Sequence, residues 1–426
     1  MSTTHKSPIQ TRVKSSSVPA ASESLTIWAL AFAQLVSWGS VYYSFSLLVV
    51  PMEHAMDWSR TATNAALSLG LLVSGFAAYP VGRWIDRGLG RRVMSIGSIV
   101  ATAMLLLWAG TSSLAVVFVA WIGLGVSMAA TFYDPLFAVL THRYPQRYKT
   151  RITLVTLVAG FASTVFIPLT QFLIGAAGWR VTLVALAGCN LAICLPIHAL
   201  AIRSSRLDTA SRRASVERKR ADDSAAGRAL RTPAFWALVI CFTSYYATFA
   251  ALTFHLVPLM VERGVSNTVL VITMALIGPA QVIARAVWFA FDRKVTITTV
   301  GYIVVTMFPV STLILNFAGK SAMLLWLFAL CYGGANGMMT ILRGTIVQEF
   351  LWTEGYGAIS GMLSLPSNLA KGIAPIAAAT IWSLTRSYPA VEWTVSLVSM
   401  ISAVCFFVAA RVSPARTTAT RASSAN

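Results

Sequence analysis

The chain alternates long apolar runs with short polar breaks, and the runs set its architecture. Twelve of them lie near 25–51, 61–81, 93–110, 114–140, 152–174, 180–202, 234–259, 268–291, 296–317, 321–342, 357–383 and 391–410. Each holds roughly the 20 residues a helix needs to cross about 30 Å of hydrocarbon. The fourth and eleventh are long enough to tilt or to extend past that layer. The pattern predicts an all-α polytopic membrane protein with twelve transmembrane helices in two pseudo-symmetric six-helix bundles. One bundle covers 25–202 and the other 234–410, with a linker at 203–233 and tails at 1–24 and 411–426. Residues 1–24 are rich in Ser and Thr and lack the apolar core of a secretory signal, so a disordered cytoplasmic tail is expected.

Composition agrees with that class. The chain is 57% hydrophobic and only 11% charged, with a mean hydropathy of +0.71, which excludes an ordinary globular enzyme. A net charge of +19 would suggest nucleic acid, but the bases sit in short loops between apolar runs. Of 33 Lys and Arg, 26 fall in segments on the N-terminal side, Arg343 among them. Five fall in loops on the other side: Arg60, Arg180, Arg263, Lys320 and Arg386. That asymmetry predicts an inner-membrane protein with both termini in the cytoplasm. The linker sets nine bases against Asp208, Glu217, Asp222 and Asp223, and reads as a mobile connection resting on anionic lipid. All five cysteines lie inside apolar runs as packed thiols, with no disulfide framework, metal spacing or cofactor implied.

Between the second and third runs stands a glycine-rich basic turn, Gly82-Arg83-Trp84-Ile85-Asp86-Arg87-Gly88-Leu89-Gly90-Arg91-Arg92-Val93. Glycines let two helix ends approach, and one acid followed by three bases can pair with neighbouring helix ends. The halves also echo one another: Pro51 and Ser59 recur as Pro258 and Ser266, and Asp86-Arg87 recurs as Asp292-Arg293, at nearly equal offsets. This points to a duplicated unit. The turn resembles the loop between helices 2 and 3 of the major facilitator superfamily, with the glycines at 88 and 90 displaced from the commonest version. The resemblance implies gating roles for Asp86, Arg87, Arg91 and Arg92, and for Asp292 and Arg293 in the second copy. It also implies two halves rocking about a midplane site.

Gly178-Trp179-Arg180, Phe254-His255-Leu256-Val257-Pro258, Asn336-Gly337, Arg343-Gly344-Thr345, Tyr356-Gly357 and Gly361 resemble the monocarboxylate-porter-like branch. Val119-Ala120-Trp121-Ile122-Gly123 stands where many proton antiporters carry Arg-x-x-Gln-Gly. Only Gly160 and Pro168 remain of the glycine-proline motif of drug antiporters.

Charges inside the runs are the candidate chemistry, because each costs about 2.5–3.5 kcal/mol near a helix centre. Lys371 lies about 21 Å along a helix from Gly357, too far for its stem to reach an interface. Arg285 lies about 10 Å from the Asp292 end, so snorkelling competes with clamping a carboxylate. In the resembling branch an arginine occupies a similar place on the eighth span, which implies a substrate role for Arg285. Asp134, directly before Pro135, is either a proton carrier or half of an ion pair, with His255 as the alternative proton site.

Around these charges stand Gln34, Trp38, Tyr42 and Tyr43 on the first run, Tyr245 and Tyr246 on the seventh, Gln281 on the eighth, Asn336 on the tenth and Asn368 on the eleventh. Helical spacing places Gln34, Trp38 and Tyr42 on one face, and Asn368 with Lys371 on another. The candidate substrate contacts are therefore Arg285, Lys371, Gln34, Trp38, Tyr42, Tyr245, Asn336 and Asn368. The resulting expectation is a monomeric secondary transporter, not an enzyme, that takes up a small anionic or planar solute such as an aromatic acid or a flavin-like vitamin, with protons as coupling ion. Efflux of a toxic compound and solute sensing through the linker are the alternatives.

Overall fold

The computed structural model describes residues 20–58, 60–202, 224–291 and 295–414, and all regular structure among them is helical. The first crossing is α1 (Ala20–Ser37), a π-helical turn (Trp38–Tyr43) and α2 (Phe45–Met56). α3 (Arg60–Trp84) and α4 (Gly90–Gly110) are the second and third, and α5 (Leu114–Thr131) with α6 (Tyr133–Arg143) the fourth. α7 (Tyr148–Ala159) and α8 (Ala162–Cys189) give the fifth and begin the sixth, which a π-helical turn (Asn190–Cys194) and α9 (Leu195–Ala201) complete. After a short helix α10 (224–230) come α11 (Pro233–Glu262), α12 (Asn267–Phe291), α13 (Ile297–Ala318), α14 (Ala322–Phe350), α15 (Tyr356–Thr385) and α16 (Tyr388–Arg411).

Nine continuous helical runs among the described residues are long and apolar enough to cross a membrane. Two of these, Ala62–Gly110 with 49 residues and Tyr148–Ala201 with 54, would measure roughly 74 and 81 Å if straight. Each is two crossings folded back at a glycine with positive φ, Gly88 (83°) and Gly178 (79°), where a Cβ would be strained. α15 adds the twelfth; its serines, Asn368 and Lys371 make it less apolar than the others. Phe172, Leu200 and Phe317 are 69%, 73% and 71% exposed, an apolar exterior suited to lipid.

Within one half α4 packs on α5 and α8, and within the other α11 packs on α16 and α13 on α14 and α16. The halves meet where α3 lies along α15, α7 against α12 and α14, and α6 against α15. Backbone approach makes the α3–α15 seam: a Cβ on Gly82 would stand 2.0 Å from the Gly357 carbonyl oxygen, and one on Gly361 2.5 Å from that of Ala78.

Four sequence expectations change. The fourth crossing is not one long tilted helix but breaks at Phe132, whose backbone is extended. α14 continues to Phe350, past the expected end of the tenth run at 342, so Arg343 lies inside a crossing and not in a loop. The last part of the expected linker is helical, because Ala225, Ala226 and Ala229 bury one face of α10 while Arg228 meets Glu354 at 3.4 Å. Residues 20–24 of the tail expected at 1–24 are helical and open α1; the rest of that tail, residues 203–223 of the linker expected at 203–233, residues 415–426 of the tail expected at 411–426, and the pair Asp292 and Arg293 lie outside the described residues.

Candidate functional site

The break in the fourth crossing builds one wall of the site. Pro135 has no N–H to offer the carbonyl of Thr131, four residues earlier. Gln34 on α1 supplies the donor: with its amide oriented to satisfy both ends, its nitrogen lies 3.1 Å from Thr131 O and its oxygen accepts from Tyr133 N at 3.1 Å and Trp38 Nε1 at 3.0 Å. Gln34 is fully buried, so it positions the wall and its polar atoms are spent within the protein. Trp38 stacks on Phe132 at 4.1 Å and leans on Tyr133 at 5.1 Å, with Tyr42 edge-on at 5.5 Å. The π-helical turn brings Tyr43 to 6.1 Å from Trp38 as well, an aromatic that 3.6-residue spacing does not place on this face.

Freed by the break, Asp134 reaches across the seam. Its Oδ2 lies 3.0 Å from Arg343 Nη2 on α14 and accepts from Ser364 Oγ on α15 at 2.6 Å; its Oδ1 accepts from Ser360 Oγ at 3.4 Å. Arg343 also donates to Ser364 at 2.5 Å and to the Tyr246 hydroxyl at 3.5 Å. Arg343, which sequence reasoning assigned to a loop, thus stands at the centre of this cluster. The signal was there: Ile346 and Val347 carry the apolar pattern of the tenth run past it.

Lys371 sits beside this knot, its ammonium 4.1 Å from the centre of the Tyr246 ring and 3.1 Å from Asn368 Oδ1. The face shared by Asn368 and Lys371 is thus realised. Arg285 is only 5% exposed and turns inward, which rules out snorkelling. Its Nε donates to Gly337 O at 2.9 Å, and its Nη1 fills the space a Cβ on Gly160 of the other half would need. Tyr43, Tyr133 and Tyr245 stand within electrostatic range of its guanidinium. Among the described residues neither Arg285 nor Lys371 has a carboxylate partner. Tyr245 donates to Asn336 Oδ1.

The basic end of the bundle is closed by polar contacts. Asp86 accepts from the first N–H groups of α15, Gly357 at 2.9 Å and Ala358 at 2.8 Å, and meets His142 Nε2 at 2.8 Å. Lys149 pairs with Glu349 at 2.7 Å, and Gln348 bonds Thr141 at 2.7 Å. Arg87, Arg91 and Arg92 are exposed and form no ion pair among the described residues, so of the expected gating group Asp86 alone is seen within the seam. His255 lies elsewhere, tying α11 to Pro375 O at 3.0 Å and to the Tyr388 hydroxyl at 3.4 Å, all within one half. An apolar cavity of about 490 Å³ lies between α11, α15 and α16, lined by Thr248, Ala370 and Val395 and separate from the charges.

Comparison with known proteins adds the following. The family model described as Major Facilitator Superfamily matches residues 30–375. The human organic anion transporter MFSD10 (TETRAN) is 14% identical, with 92% of this chain and 100% of that chain covered and a TM-score of 0.65. The fucose:proton symporter FucP of E. coli is 14% identical over 90% of this chain and 98% of that chain, at 0.68. The proton:xylose symporter XylE, bound to 6-bromo-6-deoxy-D-glucose, is 11% identical over 90% and 96%, at 0.69. At these identities the likeness is one of fold. No curated protein matches the sequence.

Proposed function

Since this chain belongs to the major facilitator superfamily, we propose that it is a secondary active transporter taking up a small organic carboxylate with a planar or aromatic body. The observation that carries the reading is the pair of inward-facing cations that have no carboxylate partner among the described residues, Arg285 and Lys371, set among Tyr43, Tyr133, Tyr245 and Tyr246. Lipid tolerates a lone ion poorly, and a bound carboxylate would offset one of these two charges while tyrosine and tryptophan faces take its apolar part. Trp38, Tyr42, Asn336 and Asn368 complete the proposed contacts, and Gln34 holds Trp38 in place.

The basic end faces the cytoplasm on this reading, by the excess of Lys and Arg there. Solute then enters from the opposite side of the inner membrane while Asp86 keeps the cytoplasmic end shut. Protons are the proposed coupling ion, with Asp134 as carrier; the printed names of FucP and XylE describe proton symporters. The sequence resemblance supports the monocarboxylate-porter-like branch, and the printed name of MFSD10 describes an organic anion transporter.

A thermal-shift panel of aromatic and aliphatic carboxylates, sugars and flavins on the purified protein tests this. At least one carboxylate is expected to stabilise the parent and to stabilise Arg285→Ala and Lys371→Ala much less. Equal stabilisation of all three proteins, or stabilisation by neutral sugars alone, would remove the two cations from the site.

A further inference from the structure

We propose that the apolar cavity between α11, α15 and α16 is a binding site for a neutral, lipid-soluble dicarbonyl compound of the quinone type, held by the hydroxyls of Thr243 and Thr248. The site uses another face of α15 from the one that carries Asn368 and Lys371, and it does not depend on what the transported solute is.

Packing in the second half leaves the gap. α11 runs along both α15 and α16, whereas α15 and α16, though consecutive, touch little. Between them lies a cavity of about 490 Å³, backed by α11 and walled by Ala370, Ile373 and Ala377 on one side and Val395 on the other. That is within the roughly 300–1,000 Å³ of small-molecule pockets. Its mouth lies on the apolar exterior: Ile373 is 59% exposed, and Ala377 and Thr394 are exposed beside it. An occupant therefore enters from the acyl chains. No charged side chain lines the cavity among the described residues, so a charged ligand would be left without a partner in it and a neutral one is required.

Two polar atoms of the lining are unpaired. Thr248 is 1% exposed, and its Oγ1 and that of Thr243 are buried with no hydrogen-bond partner among the described residues. Elsewhere in this half Thr253, Thr273 and Thr345 return their hydroxyls to the carbonyl four residues earlier, as does Thr394 across the cavity. A buried hydroxyl without a partner destabilises the protein, and an apolar cavity excludes the water that would relieve it. Depth then selects the ligand. Thr248 lies 14 residues, about 21 Å, from Glu262 and about as far from Pro233. That is the middle of a hydrocarbon layer about 30 Å thick. A phospholipid ester anchored at the interface does not reach it, and the end of an acyl chain accepts no hydrogen bond. Thr243 and Thr248 are also set about 7.5 Å apart along the helix axis and about 140° apart around it, whereas two O–H···O bonds to one atom span at most about 6 Å. The ligand must offer two acceptors on opposite edges of an apolar body, as the carbonyls of a quinone ring do.

Purified parent, Thr243→Val/Thr248→Val, Ala374→Leu and Lys371→Ala in lipid nanodiscs are titrated with decylubiquinone, a quinone ring on a ten-carbon tail, and affinity is read from the shift in Tm with concentration. Decane, the tail alone, and 1-decanol, with one polar atom, are the comparison ligands. Valine keeps the shape of threonine and removes the unpaired hydroxyl, so the double variant without ligand should melt at or above the parent Tm. Decylubiquinone should stabilise the parent and bind at least about 10-fold more weakly to the double variant, which has lost two hydrogen bonds. It should also bind more weakly to Ala374→Leu, whose larger side chain fills the cavity, and Lys371→Ala should bind it as the parent does. No stabilisation of the parent by decylubiquinone, or equal affinity in the parent and the double variant, overturns the proposal. So does decane or 1-decanol binding as tightly as decylubiquinone, because an acyl chain or a single bond would then suffice. Binding lost in Lys371→Ala but kept in Ala374→Leu would move the ring to the central charges and overturn it as well.

Discussion

The carboxylate of Asp86, on the turn after α3, accepts the backbone N–H of Gly357 at 2.9 Å across the seam between the halves. It thereby caps the first turn of α15, where the helix dipole is positive and the amide groups have no partners within the helix. The same helix is held again about one and two turns further on, where Asp134 meets Ser360 and Ser364. Two acids of one half therefore grip one helix of the other.

Asp86→Asn should loosen the basic end. Charge-assisted bonds at a helix N-terminus are worth about 1–3 kcal/mol, enough to shift a closed population measurably. Spin labels at the exposed positions Arg92 and Glu354 should report a longer distance component in the variant. An unchanged distribution would mean that the glycine seam alone keeps this end shut.

Glu349→Gln should do little by comparison. The Lys149–Glu349 pair is 2.7 Å long, but its side chains keep 43% and 32% exposure. Such screened pairs contribute roughly 0–1 kcal/mol. The same spin-label pair should return nearly the parent distribution; opening as large as in Asp86→Asn would make this pair a principal gate contact.

Gln34→Leu should destabilise the protein without touching solute. It leaves the buried Thr131 carbonyl, already deprived of a donor by Pro135, unsatisfied, at a cost of about 1–3 kcal/mol. A lowered Tm in detergent is the expected result. A parent-like Tm would show that Thr131 finds another partner.

Gly160→Ala should weaken carboxylate binding from a distance. The new methyl group would lie 2.1 Å from Arg285 Nη1, so the guanidinium must move, and about 10-fold or more in affinity should be lost with it. Gly175→Ala is the control, since a Cβ there meets nothing within 4 Å. Titration of a stabilising carboxylate against both variants reads the difference; equal affinities would place Arg285 outside the site.

Much of this was legible in the linear pattern. Twelve apolar runs fixed the crossings because a helix in lipid must satisfy its own backbone and present carbon outward. Lys371 stood out for the same reason: its stem is too short to leave the hydrocarbon, so it had to turn inward, and it does. Arg285 left two readings open at the sequence level, since its distance from the helix end suits snorkelling as well as clamping. Only the packing of α12 against α7 and α14, which buries its guanidinium over Gly160, decided between them.

What tertiary structure alone supplied were the partnerships. Asp134 and Arg343 are separated by more than two hundred positions, and nothing in either neighbourhood names the other; the α6–α14 contact brings them together. Gln34 read as a possible solute contact because an amide inside a span looks functional, whereas the fold turns its amide to a backbone interrupted by a proline on another helix. Periodicity reports which face of a helix is polar. It carries no information on which other helix that face will meet, and in this protein the chemistry depends on that meeting.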